Sequence, residues 1–418
     1  MMTEQEHFVL KQLIKFHFFT SLAISLAASW GVTDLLMLKM DFDLARFGVV
    51  KGNMFLVPAL TYFLVSGKMG KLGHEIRICQ WSYFLRTALP IVLPFLALAG
   101  MNREALLWIT AGIMAVGYTC AMFANNTLLK VMRSTLPPDQ LNKQAVFLTC
   151  LLGLPGSLLC IPVTWFLTRI GDDPKVFLSW FAALQIAVTL FEYPAIRAIG
   201  KIKMPPPPET QKAVTFPFRS ILKTELLMLF GLTLLHGFWM GLSATYFVVY
   251  LLKNYQLAPS SVLWIEAGLG AVALWAGPQF GKLVDRWGYA LSLTACTALM
   301  SLTSLLWASN QNVTWIFILF TLLVYNGNGG FLAGMLRQSE CIASVRLPKP
   351  DVAEFSVGVG SLLFAIGSFS GCISAGKLYT ALNGSLEQYF RWCAWGPVLI
   401  FTLSVTWYFL TRCTARKE

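Results

Sequence analysis

The feature that most constrains this chain is the recurrence of uninterrupted apolar stretches, each of 20 or more residues, from one end of the sequence to the other. A helix needs roughly 20 apolar residues to cross the hydrocarbon core of a bilayer. Backbone groups left unpaired in lipid are too costly, so only helices or a closed barrel can span it. The runs are long and show no alternation of period two, which selects helices. Composition agrees: of 418 residues, 56% are hydrophobic and only 12% charged.

The formal net charge of +12 invites a nucleic-acid reading. The basic residues, however, sit in short loops between apolar runs, which is the positive-inside pattern of membrane proteins. A nucleic-acid partner is therefore not expected. The nine cysteines have no paired spacing, and Cys120, Cys150 and Cys372 fall within apolar runs, where a free thiol behaves as a small apolar group. Neither disulfide, metal nor cofactor is expected. The polar start, residues 1–12, leads directly into a long span and reads as the beginning of a membrane domain.

The expected spans are Phe16–Leu38, Phe47–Ser66, Ile78–Ala99, Ala105–Leu128, Ala145–Thr168 and Val176–Ala198 in a first half. A second half holds Glu225–Leu252, Ser261–Phe280, Ala290–Ser309, Val313–Leu336, Glu354–Gly376 and Phe390–Leu410. With the N-terminus inside, 22 of the 32 basic residues lie on the inner side and 7 on the outer; Lys51, Arg86 and Lys377 lie within or at the ends of spans. That asymmetry places both termini in the cytoplasm of a plasma membrane, or of the inner membrane in a bacterium. The domains are residues 1–199, a cytoplasmic linker 200–223 stiffened by Pro205–Pro208, and residues 224–418.

The halves echo each other. Gly67-Lys68-Met69 matches Gly281-Lys282-Leu283, offset by 214 residues; Tyr118 and Lys130 match Tyr325 and Arg337, both offset by 207. Two parallel six-span repeats joined by a linker are a transporter architecture. After the eighth span the chain reads Gly281-Lys-Leu-Val-Asp285-Arg286-Trp-Gly288. This resembles the G-x-x-x-D-R-x-G signature of the major facilitator superfamily, at the loop where that family carries it. The resemblance, with span number, linker and repeat, covers essentially the whole chain. It implies an all-α polytopic membrane protein of twelve transmembrane helices in two pseudo-symmetric halves, acting as a secondary transporter and not an enzyme. It also implies that Gly281, Asp285, Arg286 and Gly288 form a latch at one face of the membrane. The first-half copy departs from the pattern, with Lys71 where the Asp belongs.

Ionisable side chains inside spans are costly and mark pathways, while those near span ends snorkel to water. Glu192, Arg197, Glu225, Glu354 and Lys377 lie near span ends and are expected to snorkel. Asp34 and Lys51 lie at similar depth on consecutive antiparallel spans, where they can pair or contact substrate. Glu266 lies five residues into the eighth span, and a carboxyl in an apolar wall can exchange protons. His236 lies about 17 Å along the seventh span from Glu225, at 1.5 Å per residue. Its imidazole can titrate or hydrogen-bond a solute. Arg86 lies about nine residues into the third span. Polar and aromatic residues gather on the fourth, seventh and tenth spans, among them Tyr118, Asn126, Trp239, Tyr325 and Asn326. Amides with aromatic faces suit a neutral hydroxylated solute.

These observations set the functional expectation: alternating-access transport of a small solute by a monomer surrounded by lipid, with protons as coupling ion and a sugar or glycoside as substrate. Organic-anion transport, or lipid or lysolipid flipping on the same fold, is the alternative. No His-Glu-x-x-His, Gly-x-Ser-x-Gly or acidic metal cluster is present.

Overall fold

The computed structural model describes residues 3–27, 30–69, 75–135, 173–202, 224–258, 286–309 and 353–415, with a few isolated residues between them. The regular elements among them are helical. They are α1 (Glu4–Ala27), α2 (Trp30–Lys39), α3 (Phe47–Met69), α4 (Glu75–Ala88), α5 (Val92–Leu98), α6 (Arg103–Thr135) and α7 (Pro174–Ile199). They continue as α8 (Thr224–Asn254), α9 (Tyr289–Ser309), α10 (Ala353–Ala381), α11 (Leu386–Cys393) and α12 (Trp395–Ala415), with short 3-10 turns at Leu44–Arg46 and Leu89–Ile91.

Seven stretches among the described residues are long and apolar enough to cross a membrane: Leu44–Leu64, Ile76–Leu98, Arg103–Ala124, Pro174–Ile199, Thr224–Asn254, Gly358–Ala381 and Leu386–Arg412. They coincide with seven of the twelve expected spans. The first expected span is divided between α1 and α2, and the ninth is the shorter apolar helix α9. The expected fifth, eighth and tenth spans lie almost entirely outside the described residues.

The described helices form two compact units. The first contains α1, α2, residues 57–69 of α3, and α4 to α7. The second contains Asp43–Leu56 and α8 to α12. In the first unit α7 opens with a clean start signal. Asp173 accepts a hydrogen bond from the Lys175 amide, and Pro174 occupies the first turn, where a missing N–H costs nothing. One face of α7 then packs on α1 and α4. Val9, Leu13 and Phe16 of α1 meet Cys79 and Tyr83 of α4 and Ala195 and Ile199 of α7 in one buried cluster.

The second unit is built on close backbone approach. Gly237 and Gly241 of α8 face Gly367 and Gly371 of α10. A Cβ added at Gly241 would stand 2.0 Å from the Ser368 carbonyl oxygen, and one at Gly371 2.0 Å from that of Phe238. Lipid tails are as apolar as leucine, so helices in a bilayer associate through close packing and polar contacts. Small residues four apart on both helices supply the first. The second joins α9 to α12, where Thr297 Oγ1 and Ser404 Oγ are 2.7 Å apart and Ser301 Oγ donates to the Pro397 carbonyl at 2.7 Å.

Candidate functional site

The centre of α8 carries the site. His236 lies midway along the helix with 1% of its surface exposed, and its Nδ1 is 3.0 Å from Glu340 Oε1, a carboxyl equally buried. His236 Nε2 makes no hydrogen bond among the described residues. Two rings hold the imidazole. Trp239 stacks on it at 6.5 Å and 26° between planes, and Phe364 of α10 meets it edge-on at 5.3 Å. Trp239 is itself fixed, because its indole N–H donates to the Cys393 carbonyl at 2.9 Å. An imidazole and a carboxyl joined by one hydrogen bond and enclosed by two aromatic rings make a compact polar unit in an otherwise apolar stretch of the helix.

Two to three turns further along α8 a second feature appears. Lys51, completely buried, donates from Nζ to the carbonyls of Ala244 and Thr245, both at 2.9 Å. The segment carrying it is pressed against α8 and α10. Tyr246 donates its hydroxyl to the Leu44 carbonyl at 2.8 Å, and a Cβ on Gly48 would meet the Cys372 carbonyl oxygen at 2.0 Å. Helix α3 passes from one unit to the other between Leu56 and Val57, beside Pro58. Proline donates no amide hydrogen, so the helix ladder is one bond short there.

The remaining expected positions fall as follows. Asp34 is fully buried on α2 in the first unit. Tyr118 is half-buried on α6, and Asn126 belongs to the same helix. Trp239 is buried beside His236, as just described. Arg286 is exposed, and Gly288 adopts φ of +81°, a left-handed conformation that favours glycine at that position of the loop. Glu266, Tyr325, Asn326, Gly281 and Asp285 lie outside the described residues.

Two residues depart from the sequence reading. Glu340 lies four residues beyond the expected end of the tenth span and was not singled out, yet it is the partner of His236. Its place just past the expected span gave the sequence reading no reason to count it as a membrane-facing carboxyl. Glu192 was expected to snorkel, and it does not. It is fully buried, because Gln185, Val188, Glu192, Ala195 and Ile199 share the covered face of α7. Neither of its carboxyl oxygens meets hydrogen-bond geometry among the described residues, although the Thr87 hydroxyl stands close enough to act on the carboxyl, as does the Arg86 guanidinium. Arg197 and Lys377, in contrast, are exposed. Among the described residues no three His, Cys, Asp or Glu side chains come together as a metal site.

No protein-family profile matches the sequence, and no curated protein matches it. Solved structures do. A bacterial homologue of the human lysosomal transporter Spinster, inward-facing and unoccupied, superposes with a TM-score of 0.69 at 12% identity, over 98% of this chain and 97% of that one. A bacterial homologue of the iron transporter ferroportin, inward-facing, gives 0.68 at 15% identity, over 96% and 98%. A D-xylose–proton symporter gives 0.66 at 11% identity, over 95% and 96%. At these identities the likeness speaks for the fold alone, over nearly the whole length of every chain.

Proposed function

On the premise that this polytopic chain has the major facilitator fold, we propose that it is a secondary transporter, moving a small polar solute by alternating access in symport with protons. The observation that carries the reading is the buried His236–Glu340 pair at the middle of a membrane-crossing helix. A desolvated pair of titratable groups is costly to keep in a helix bundle, and ionisable residues inside spans mark pathways. A resident proton gives the pair a use. His236 and Glu340 hold the coupling proton, while Glu266 of the eighth span is a further candidate on its route.

The segment Asp43–Leu56, seated on α8 and α10 through Lys51, Tyr246 and Gly48, acts as a closing element of the cycle. The loop Gly281–Gly288 acts as the latch at the other membrane face, with both termini cytoplasmic. Uncharged hydroxylated solutes are the substrate class that Trp239, Tyr118, Asn126, Tyr325 and Asn326 suit.

The test is uptake into proteoliposomes under an imposed proton gradient, with a panel of labelled sugars and nucleosides. Glu340→Gln keeps a side chain that can hydrogen-bond His236 Nδ1 but cannot release a proton. It is expected to abolish proton-driven accumulation while equilibrative exchange of the same solute continues. Full accumulation by Glu340→Gln, or wild-type protein that never accumulates any panel solute above equilibrium, overturns proton coupling through this pair.

A further inference from the structure

We infer that the flank of the second unit holds a specific membrane-lipid site, an acyl-chain groove between α8 and α12 capped by α11. Leu235, Phe238 and Leu242 of α8 face Trp395, Val398 and Leu399 of α12 across a groove of about 440 Å³. Its lining is mainly apolar, and a drug-sized pocket of this volume would carry several convergent polar groups.

Three observations commit the occupant. First, the groove continues into exposed surface on α12, where Trp395, Leu399, Thr402, Thr406 and Phe409 recur at helical spacing. On a helix that crosses the membrane, such a stripe meets hydrocarbon. Second, the two tryptophans at the mouth, Trp392 and Trp395, are 62% and 61% exposed, and tryptophan collects where acyl chains give way to headgroups. Third, the short helix α11 gives the groove a polar end. Its Leu386, Tyr389, Phe390 and Cys393 are buried against the protein, while Glu387, Gln388 and Arg391 face outward. Its Arg391 and Glu387 form an exposed ion pair at 2.7 Å beside Trp392. One cation and one anion side by side complement a zwitterionic headgroup, the guanidinium toward the phosphate and the carboxylate toward the amine. A phosphatidylethanolamine-type lipid matches the whole arrangement.

The floor of the groove is Trp239, which is pressed so closely on α12 that a Cβ at Gly396 would meet its ring at 2.0 Å. The same indole stacks on His236. A chain lying in the groove therefore packs on the outer face of a wall of the proposed coupling pair. Lipid binding itself does not depend on that pair carrying protons.

The experiment uses the full chain in vesicles of phosphatidylethanolamine and phosphatidylglycerol, doped with a phosphatidylethanolamine bearing a photoactivatable diazirine in one acyl chain. After illumination, adducts are mapped by peptide mass spectrometry. Several-fold enrichment is expected on residues 235–242 and 395–402 over residues 186–193, the exposed apolar stretch of α7 in the first unit. Leu399→Trp, which fills the groove from its rim, should lose that enrichment, as should Thr402→Phe if the first variant folds poorly. Leu190→Trp on α7 should not. Equal adduct density on both flanks means ordinary boundary lipid and overturns the site. Unchanged enrichment in both groove variants overturns it too.

Discussion

Helices α7 and α8 are alike in sequence, both long and apolar with one ionisable group well inside, and they meet opposite fates. Helix α7 buries 10 of its 26 residues, along one face, and leaves Trp180, Leu190, Phe191 and Tyr193 exposed on the other. Helix α8 buries 19 of 31, including every residue from Ser243 to Leu251. The polar groups follow suit. Glu192 on α7 is enclosed with no hydrogen bond to its oxygens among the described residues, whereas His236 on α8 meets a carboxyl and the carbonyls of Ala244 and Thr245 meet Lys51. Burial alone therefore does not mark a working site. What distinguishes α8 is that its central ionisable group meets a carboxyl from an element remote in the chain, while its backbone receives the Lys51 ammonium.

The sharpest way to break this comparison is to disturb the backbone approach that covers α8. Gly241→Ala places a methyl against the Ser368 carbonyl, a backbone atom that cannot step aside. A loss of about 3 kcal/mol is expected from overpacking, read as a large fall in thermal midpoint in detergent. Gly231→Ala on the same helix, where a Cβ would meet nothing within 4 Å, is the control and should hold or raise the midpoint.

A smaller effect separates the two buried acids. Glu340→Met leaves the buried His236 Nδ1 without its partner and should cost about 2 kcal/mol, the penalty of an unsatisfied buried polar atom. Equal stability of this variant and wild type would mean that the pair contributes nothing to the packed state. The smallest expected effect is at Glu192→Met. Removing a carboxyl whose oxygens meet hydrogen-bond geometry nowhere among the described residues replaces a desolvated polar group with an apolar one of similar length. It should leave stability unchanged or raise it by about 1 kcal/mol. A clear loss there would show Glu192 to be matched after all, and the contrast between the helices would fail.

Much of the fold was legible in advance, because the length of an apolar run measures a bilayer directly. His236 was also legible, since a titratable group halfway along a span has no snorkelling route. Glu340 was not, because it stands 104 residues from His236 in the chain and just past a run boundary. The Lys51 seat was half legible. Depth along the span set Lys51 level with Asp34, as a pair or a substrate contact, but nothing in a linear pattern says that the carbonyls of Ala244 and Thr245 would receive its ammonium. Gly237-x-x-x-Gly241 and Gly367-x-x-x-Gly371 have the spacing of close helix pairs, yet spacing does not say which pairs with which.

The sequence by itself determined that this chain is a bundle of membrane-crossing helices, and it placed His236 far from either end of one of them. Hydrophobicity and length are local properties, summed along a segment regardless of its neighbours. The tertiary structure alone decided which face of each helix is covered. It buried Glu192 instead of letting it reach water, brought Glu340 to His236, and left a groove beside Trp239 where α8, α11 and α12 meet. Those outcomes depend on contacts between segments a hundred or more residues apart, set by where small residues let backbones approach and where large ones hold them away.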